Sequence, residues 1–404
     1  MKPNRRHFLV KLCAGAGALS AGQLFAAGSN RPRVLLVFLR GGYDAANLLV
    51  PFGSEFYHQS RPAIAIAKPS TDVKSALAID SDWGLHPALR DSVYPLFARK
   101  EVAFVPFAGT ADLSRSHFET QDSIELGQPL EGTRNFRSGF LNRLSQVLQG
   151  AGSSIGSSAN PMAFTDQLPL IFRGDAQVPN TALKAVGKPS VDARQSKIIS
   201  EMYGGTPLER AVTEGFTVRD DVLRELAGEM NTANRNAIST KGFELEARRI
   251  AKLMKDRFSI GFVDVGGWDT HVGQGGATGY LANRFDELGK GLVGYAQEMG
   301  PLWQDTTVVV LSEFGRTFRQ NGNGGTDHGH GSVYWVMGGA VRGGRVVGEQ
   351  VRVDQTSLFQ NRDYAVLNDY RALLGGLFAR QFGLNAAQLA QVFPGGLARD
   401  WGLL

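Results

Sequence analysis

The apolar positions of this 404-residue chain fall into a few short, nearly continuous runs separated by longer amphipathic stretches. Arg33-Val34-Leu35-Leu36-Val37-Phe38-Leu39 is one such run and Val102-Ala103-Phe104-Val105-Pro106 is another. Ser259 to Val265, Thr306 to Leu311 and Val333 to Met337 repeat the pattern. A strand with one wet face alternates apolar and polar residues, whereas a run apolar at every position needs cover on both faces, as in a parallel sheet. Between the runs, residues 86–99, 241–257 and 278–299 read as helices. Ser114 to Asp122 reads as a helix start, with serine capping and acids in the early turns. Strand and helix alternating at this spacing predict an α/β fold, doubly wound, with a mostly parallel sheet and helices on both faces. Residues 150–240 break the rhythm. Ala151 to Pro161 is a Gly/Ser loop, and the charged helices around 206–231 lack a strand partner, so this span is expected to be a cap inserted over the sheet.

The ends change the picture. Residues 1–27 read as a targeting segment: Arg5-Arg6-His7-Phe8-Leu9-Val10-Lys11 precedes a weakly apolar run, Leu12 to Phe25, and then the small residues Ala26, Ala27 and Gly28. This has the form of a twin-arginine export signal, which makes the export machinery a partner and the periplasm, or another exported location, the destination. The run is too short and too rich in Gly and Ala to span a bilayer, and no other stretch is long enough, so no stable membrane span is expected after processing. The signal also carries Lys2, Arg5, Arg6 and Lys11 without an acid, so its removal takes four charges from the formal +5 and leaves the mature chain near neutral. Such a surface does not call for nucleic acid. The single cysteine, Cys13, lies inside the signal, which excludes disulfides, cysteine-ligated clusters and cysteine-attached haem from the mature protein.

Candidate chemistry gathers just past the apolar runs. Gly41-Gly42-Tyr43-Asp44 follows the first, Gly266-Gly267-Trp268-Asp269-Thr270-His271 the third, and Ser312-Glu313-Phe314-Gly315-Arg316 the fourth, while Asp327-His328-Gly329-His330 opens onto the last. Parallel strands present their carboxyl ends on one sheet edge, so acids and imidazoles placed there converge despite their separation in sequence. Carboxylates mixed with imidazoles suit a divalent metal, one or two ions of Zn, Mn, Ca or Mg, with Asp44, Asp269, His271, Glu313, His328 and His330 as candidate ligands. Arg316 is placed to hold an anionic substrate by a forked hydrogen bond or to neutralise the carboxylates. Ser116, at a helix start beside His117, is the candidate nucleophile, with an ordinary helix cap as its other reading. Gly41-Gly42 lacks the third glycine of a dinucleotide fingerprint. Gly152-Ser153-Ser154-Ile155-Gly156 matches a serine-hydrolase elbow in letters but lacks the strand that must precede it.

These motifs, Gly-Gly-Tyr-Asp44, Ser116-His117-Phe118, Gly-Gly-Trp-Asp269-Thr-His271, Ser-Glu313-Phe-Gly-Arg316-Thr and Asp327-His328-Gly, resemble the domain-of-unknown-function 1501 family over the whole mature chain. That family in turn resembles the alkaline phosphatase and sulfatase superfamily. The resemblance implies a two-metal arrangement in which Asp44 and Ser116 face one ion while Asp269, His271 and His328 or His330 hold the other. The chain departs from that pattern at Glu313-Phe314, where the superfamily has Asp-His; His117 or the spare member of the pair His328 and His330 is the available replacement, or a single ion is held. The expected function is that of an exported metal-dependent hydrolase of phosphate or sulfate esters, with Ser116, His117 and Arg316 as catalytic residues. The alternative is a non-catalytic protein that keeps the fold to bind an anionic glycan or assist envelope assembly.

Overall fold

The computed structural model describes residues 31–150, 159–181, 183, 193–217 and 242–404. Residues 1–27, read above as an export signal, residues 152–156 and residues 218–231 lie outside the described residues. In chain order the strands are β1 (Arg33–Leu39), β2 (Leu49–Val50), β3 (Leu77–Ala78), β4 (Gly84–Leu85), β5 (Val102–Gly109), β6 (Pro161–Ala163), β7 (Ile260–Val265), β8 (Thr306–Ser312), β9 (Ser332–Met337), β10 (Arg345–Val346) and β11 (Asn368–Asp369). The main sheet runs β10-β5-β9-β8-β1-β7-β6, with β11 also paired to β5, and β2, β4 and β3 form a small antiparallel sheet of their own. β1 is parallel to both β7 and β8, and β6 is parallel to β7. β9 is the antiparallel member, wedged between β5 and β8.

The continuous apolar runs are explained by cover on both faces. Along β1, Leu35, Val37 and Leu39 enter one core, which includes Ile250 and Leu253 of the helix Phe243–Asp256 and Phe285, Leu288 and Leu292 of the helix Tyr280–Met299. Val34, Leu36 and Phe38 enter the other, with Phe140 and Leu144 of the helix Phe140–Gln149 and Leu374 and Phe378 of the helix Tyr370–Phe382. This is a doubly wound, mostly parallel α/β sheet. Each fully buried Leu, Val or Phe contributes about 1.5–3 kcal/mol relative to exposure, so shortening Leu36 to Ala in the middle of β1 would cost about 2–5 kcal/mol once the cavity is included.

Within residues 150–240, the span expected as a cap, Pro161–Ala163 adds the edge strand β6 and Ile171 and Phe172 are buried in the second core. Among the described residues no helix is long and apolar enough to cross a membrane.

Candidate metal centre

The topology brings the motifs to one edge. β1, β5, β7 and β8 all end there, and β9, running the other way, begins there. His328 therefore reaches the same edge from the residues before a strand, whereas Asp269 and His271 reach it from the residues after one. Two glycines permit the close approach. Gly41 has φ +125°, and a Cβ there would lie 2.6 Å from the Asp269 amide nitrogen. A Cβ on Gly329 would collide with the Arg316 backbone, which pairs with His328 in an isolated antiparallel bridge.

Three imidazoles then meet one carboxylate. His117, the first residue of the helix His117–Leu126, places Nε2 3.4 Å from Asp269 Oδ2. His271 Nε2 lies 2.9 Å and His328 Nε2 3.3 Å from Asp269 Oδ1, and the two Nε2 atoms are 3.1 Å apart. Each ring is held from behind at Nδ1: His117 by Glu313 Oε1 at 2.8 Å, His271 by Asp327 Oδ1 at 3.0 Å, and His328 by the Arg115 carbonyl at 2.9 Å. All three partners behind the rings only accept, so a ring that donates its Nδ1 proton there turns the Nε2 lone pair inward, toward the carboxylate of Asp269. Lone pairs 3.1 Å apart and facing a carboxylate repel unless a cation or a proton lies between them. His117 Nε2 is buried without a hydrogen-bond partner. Side chains of the four residues remain 22–41% exposed, which leaves the cluster open to solvent.

Electrostatics favour a cation here. Burial pushes the Glu313 carboxyl up, but hydrogen bonds from His117 and Gln121, with Ser312, outweigh it and hold Glu313 below the usual range. The hydrogen bond to Glu313 raises the His117 pKa against burial. Burial and the neighbouring His117 lower that of His328. Burial would raise the Asp269 carboxyl, yet the Arg316 guanidinium, 2.5 Å away, brings it below its ordinary value. Asp269, Glu313 and Asp327 thus face a single guanidinium, leaving a surplus of carboxylates around the three imidazoles.

The remaining candidates stand apart from this cluster or behind it. Glu313 is fully buried and accepts from the Gly41 amide at 2.8 Å, Gln121 at 2.9 Å and the Ser312 hydroxyl at 2.8 Å, so it supports His117 from behind. Arg316 has a fully buried side chain and donates to Asp269, Thr326 and the Gly41 carbonyl, which is the neutralising use. Asp44 pairs with the buried Arg61 at 2.6 Å and accepts from Gln274 at 2.5 Å. His330 is buried against the Phe359 ring, and burial, with Arg115 adding to it, lowers its pKa to about 4. Ser116 caps the helix, its Oγ accepting from the Glu119 amide at 3.5 Å.

Sequence reasoning did not single out Gln121, Gln274 or Arg61. Gln121 stands four residues after His117, one helical turn along the same face, and could have been found from that spacing. Gln274 and Arg61 carry no motif. Gln274 accepts from the Thr270 and Thr326 hydroxyls at 2.9 and 3.0 Å while donating to Asp44, and so ties the floor of the site together.

The chain belongs to the family described as Protein of unknown function (DUF1501), whose model matches residues 31–393. No curated protein matches it. Among solved structures it is similar to Ps i-CgsB in complex with k-i-k-neocarrahexaose, with TM-score 0.42 and 10% sequence identity over 92% of this chain and 75% of that one. It is also similar to Ps i-CgsB alone, with TM-score 0.41 and 10% identity over 92% and 75% of the two chains. A protein in the alkaline phosphatase superfamily from Vibrio parahaemolyticus gives TM-score 0.36 and 10% identity over 87% and 66%.

Proposed function

We propose that this chain is an exported metal-dependent hydrolase of phosphate or sulfate esters. The observation that carries the reading is the set of three Nε2 atoms, each fixed by an acceptor behind its ring, converging on Asp269. Three imidazoles and a carboxylate suit Zn²⁺ or Mn²⁺, and His117, His271, His328 and Asp269 would hold it. Such an ion, when bound, supplies Lewis acidity that stabilises charge on a reacting ester. Glu313 and Asp327 keep the protons of His117 and His271 on Nδ1, and Arg316 fixes Asp269. Ser116 provides the attacking hydroxyl in this reading, since it is partly exposed, adjoins His117, and its cap bond of 3.5 Å is long enough to be exchanged.

The engagement of Arg316, whose buried guanidinium is held by Asp269 and Thr326 and so takes no part in orienting an ester, favours the second reading, a non-catalytic binder of an anionic glycan. Turnover of activated aryl phosphate and sulfate esters by the wild type, Ser116→Ala and His271→Ala separates the two. The hydrolase reading expects Ser116→Ala to lose turnover but keep its metal, and His271→Ala to lose both. Absence of turnover by fully metal-loaded wild type across an ester panel would leave only the binder. Export is tested by replacing Arg5 and Arg6 together with Lys, which should strand unprocessed precursor in the cytoplasm; normal delivery of that variant contradicts the signal.

A further inference from the structure

We infer that the site takes one metal ion and that Arg61, a cation built into the fold, occupies the charge-balancing position beside Asp44 where a second ion would otherwise be needed. The inference rests on the metal reading above and adds its stoichiometry. Asp44 and Arg61 are both fully buried, with side chains 1% and 0% exposed. Arg61 points its guanidinium into a cage of oxygens: Nε donates to the Phe318 carbonyl at 2.6 Å, Nη1 to Asp44 Oδ2 at 2.6 Å and Asn47 Oδ1 at 3.1 Å, and Nη2 to the Thr317 carbonyl at 3.1 Å. A planar fork matched to fixed oxygens is what guanidinium provides and a hydrated ion does not. The pair is neutral, so nothing at Asp44 calls for two further positive charges, in contrast to the surplus of carboxylates around His117.

The donors left over do not make a second site. Asp44 Oδ1 is buried without a partner, but one oxygen does not hold a divalent ion. The oxygens near it are occupied. Asn47 Oδ1 also accepts from the Tyr57 hydroxyl at 2.6 Å, and Gln274 Oε1 accepts from two threonine hydroxyls. Any cation reaching Oδ1 would stand against the Arg61 charge in a dry interior, where like charges are poorly screened. Asp44 and Arg61 instead anchor the Gln274 loop, and through it Thr270 and Thr326, beneath Asp269 and Arg316.

Calorimetric titration of the chelator-stripped mature chain with Zn²⁺, checked by elemental analysis, decides the matter. The wild type should bind one equivalent. Asp44→Asn, whose amide oxygen can still accept from both Arg61 and Gln274 and so keeps the Gln274 loop anchored, should also bind one, with affinity within about threefold. Asp269→Asn should weaken binding by about tenfold or more. Two equivalents in the wild type, or a tenfold loss in Asp44→Asn, overturns the single-ion inference while leaving the metal centre standing. Failure of the wild type to bind zinc refutes the metal reading itself. If Asp44→Asn does not fold, Arg61→Lys, which retains the buried charge, is expected to bind one equivalent, and two equivalents in the wild type still overturn the proposal.

Discussion

Glu313 sits behind His117: its Oε1 accepts from ring Nδ1 at 2.8 Å, so that Nε2 faces Asp269 on the open side of the ring. A buried carboxylate in that position fixes the tautomer and makes the ring a better donor to a cation. Glu313→Gln keeps the shape but removes the charge. It should lower zinc affinity by about 10- to 100-fold while the protein stays folded, as measured by competition with a chelator. Affinity equal to that of the wild type would show that Glu313 has no part in tuning His117.

The close approach at Gly41 gives a second test. Gly41→Ala forces a side chain into φ +125° and sets its Cβ 2.6 Å from the Asp269 amide, so Asp269 must move. Gly132→Ala is the matched control, with φ +84° and nothing within 4 Å of the added carbon. Both variants carry backbone strain of about 1–3 kcal/mol, but only Gly41→Ala should also weaken zinc binding. Equal affinities in the two would contradict the dependence of Asp269 on this contact.

Stability should depend on pH through His86. Burial lowers its pKa from 6.5 to about 4, and its ring is held by the Gly276 carbonyl and the Ala88 amide. The unfolded chain takes up a proton below 6.5 that the folded chain refuses until about 4. Stability is therefore complete above 6.5 and falls as pH drops toward 4, by about 3 kcal/mol for this group alone. Denaturant unfolding of the wild type and His86→Gln at pH 7 and pH 4.5 should show the gap between them narrowing in acid. A gap that stays constant would remove His86 as the cause.

The strands were legible because burial on both faces writes an unmistakable apolar run: Val34 to Leu39 divides its side chains between two cores and leaves no polar position. Direction was not legible, since the run before Met337 looks the same whichever way β9 points. Its antiparallel setting is what brings His328 to the site from the strand's beginning. The same limit governs roles within the site. Sequence places Glu313, Arg316 and His117 near one another, but only their order in depth distinguishes the ring that faces inward from the carboxylate that holds it and the guanidinium that neutralises Asp269. Asp44 shows this most clearly, because its partner Arg61 stands at the end of the short helix Glu55–Ser60 and nothing in its neighbours announces a buried cation.

Anomalous diffraction from crystals of zinc-loaded protein, recorded above and below the zinc edge, tests the central claim most directly. The account predicts one peak at roughly 2.0–2.3 Å from Nε2 of His117, His271 and His328 and from a carboxylate oxygen of Asp269, with Glu313 and His330 outside that distance. A peak bonded through Glu313, His330 or Asp44, or no peak between the three imidazoles, would contradict it.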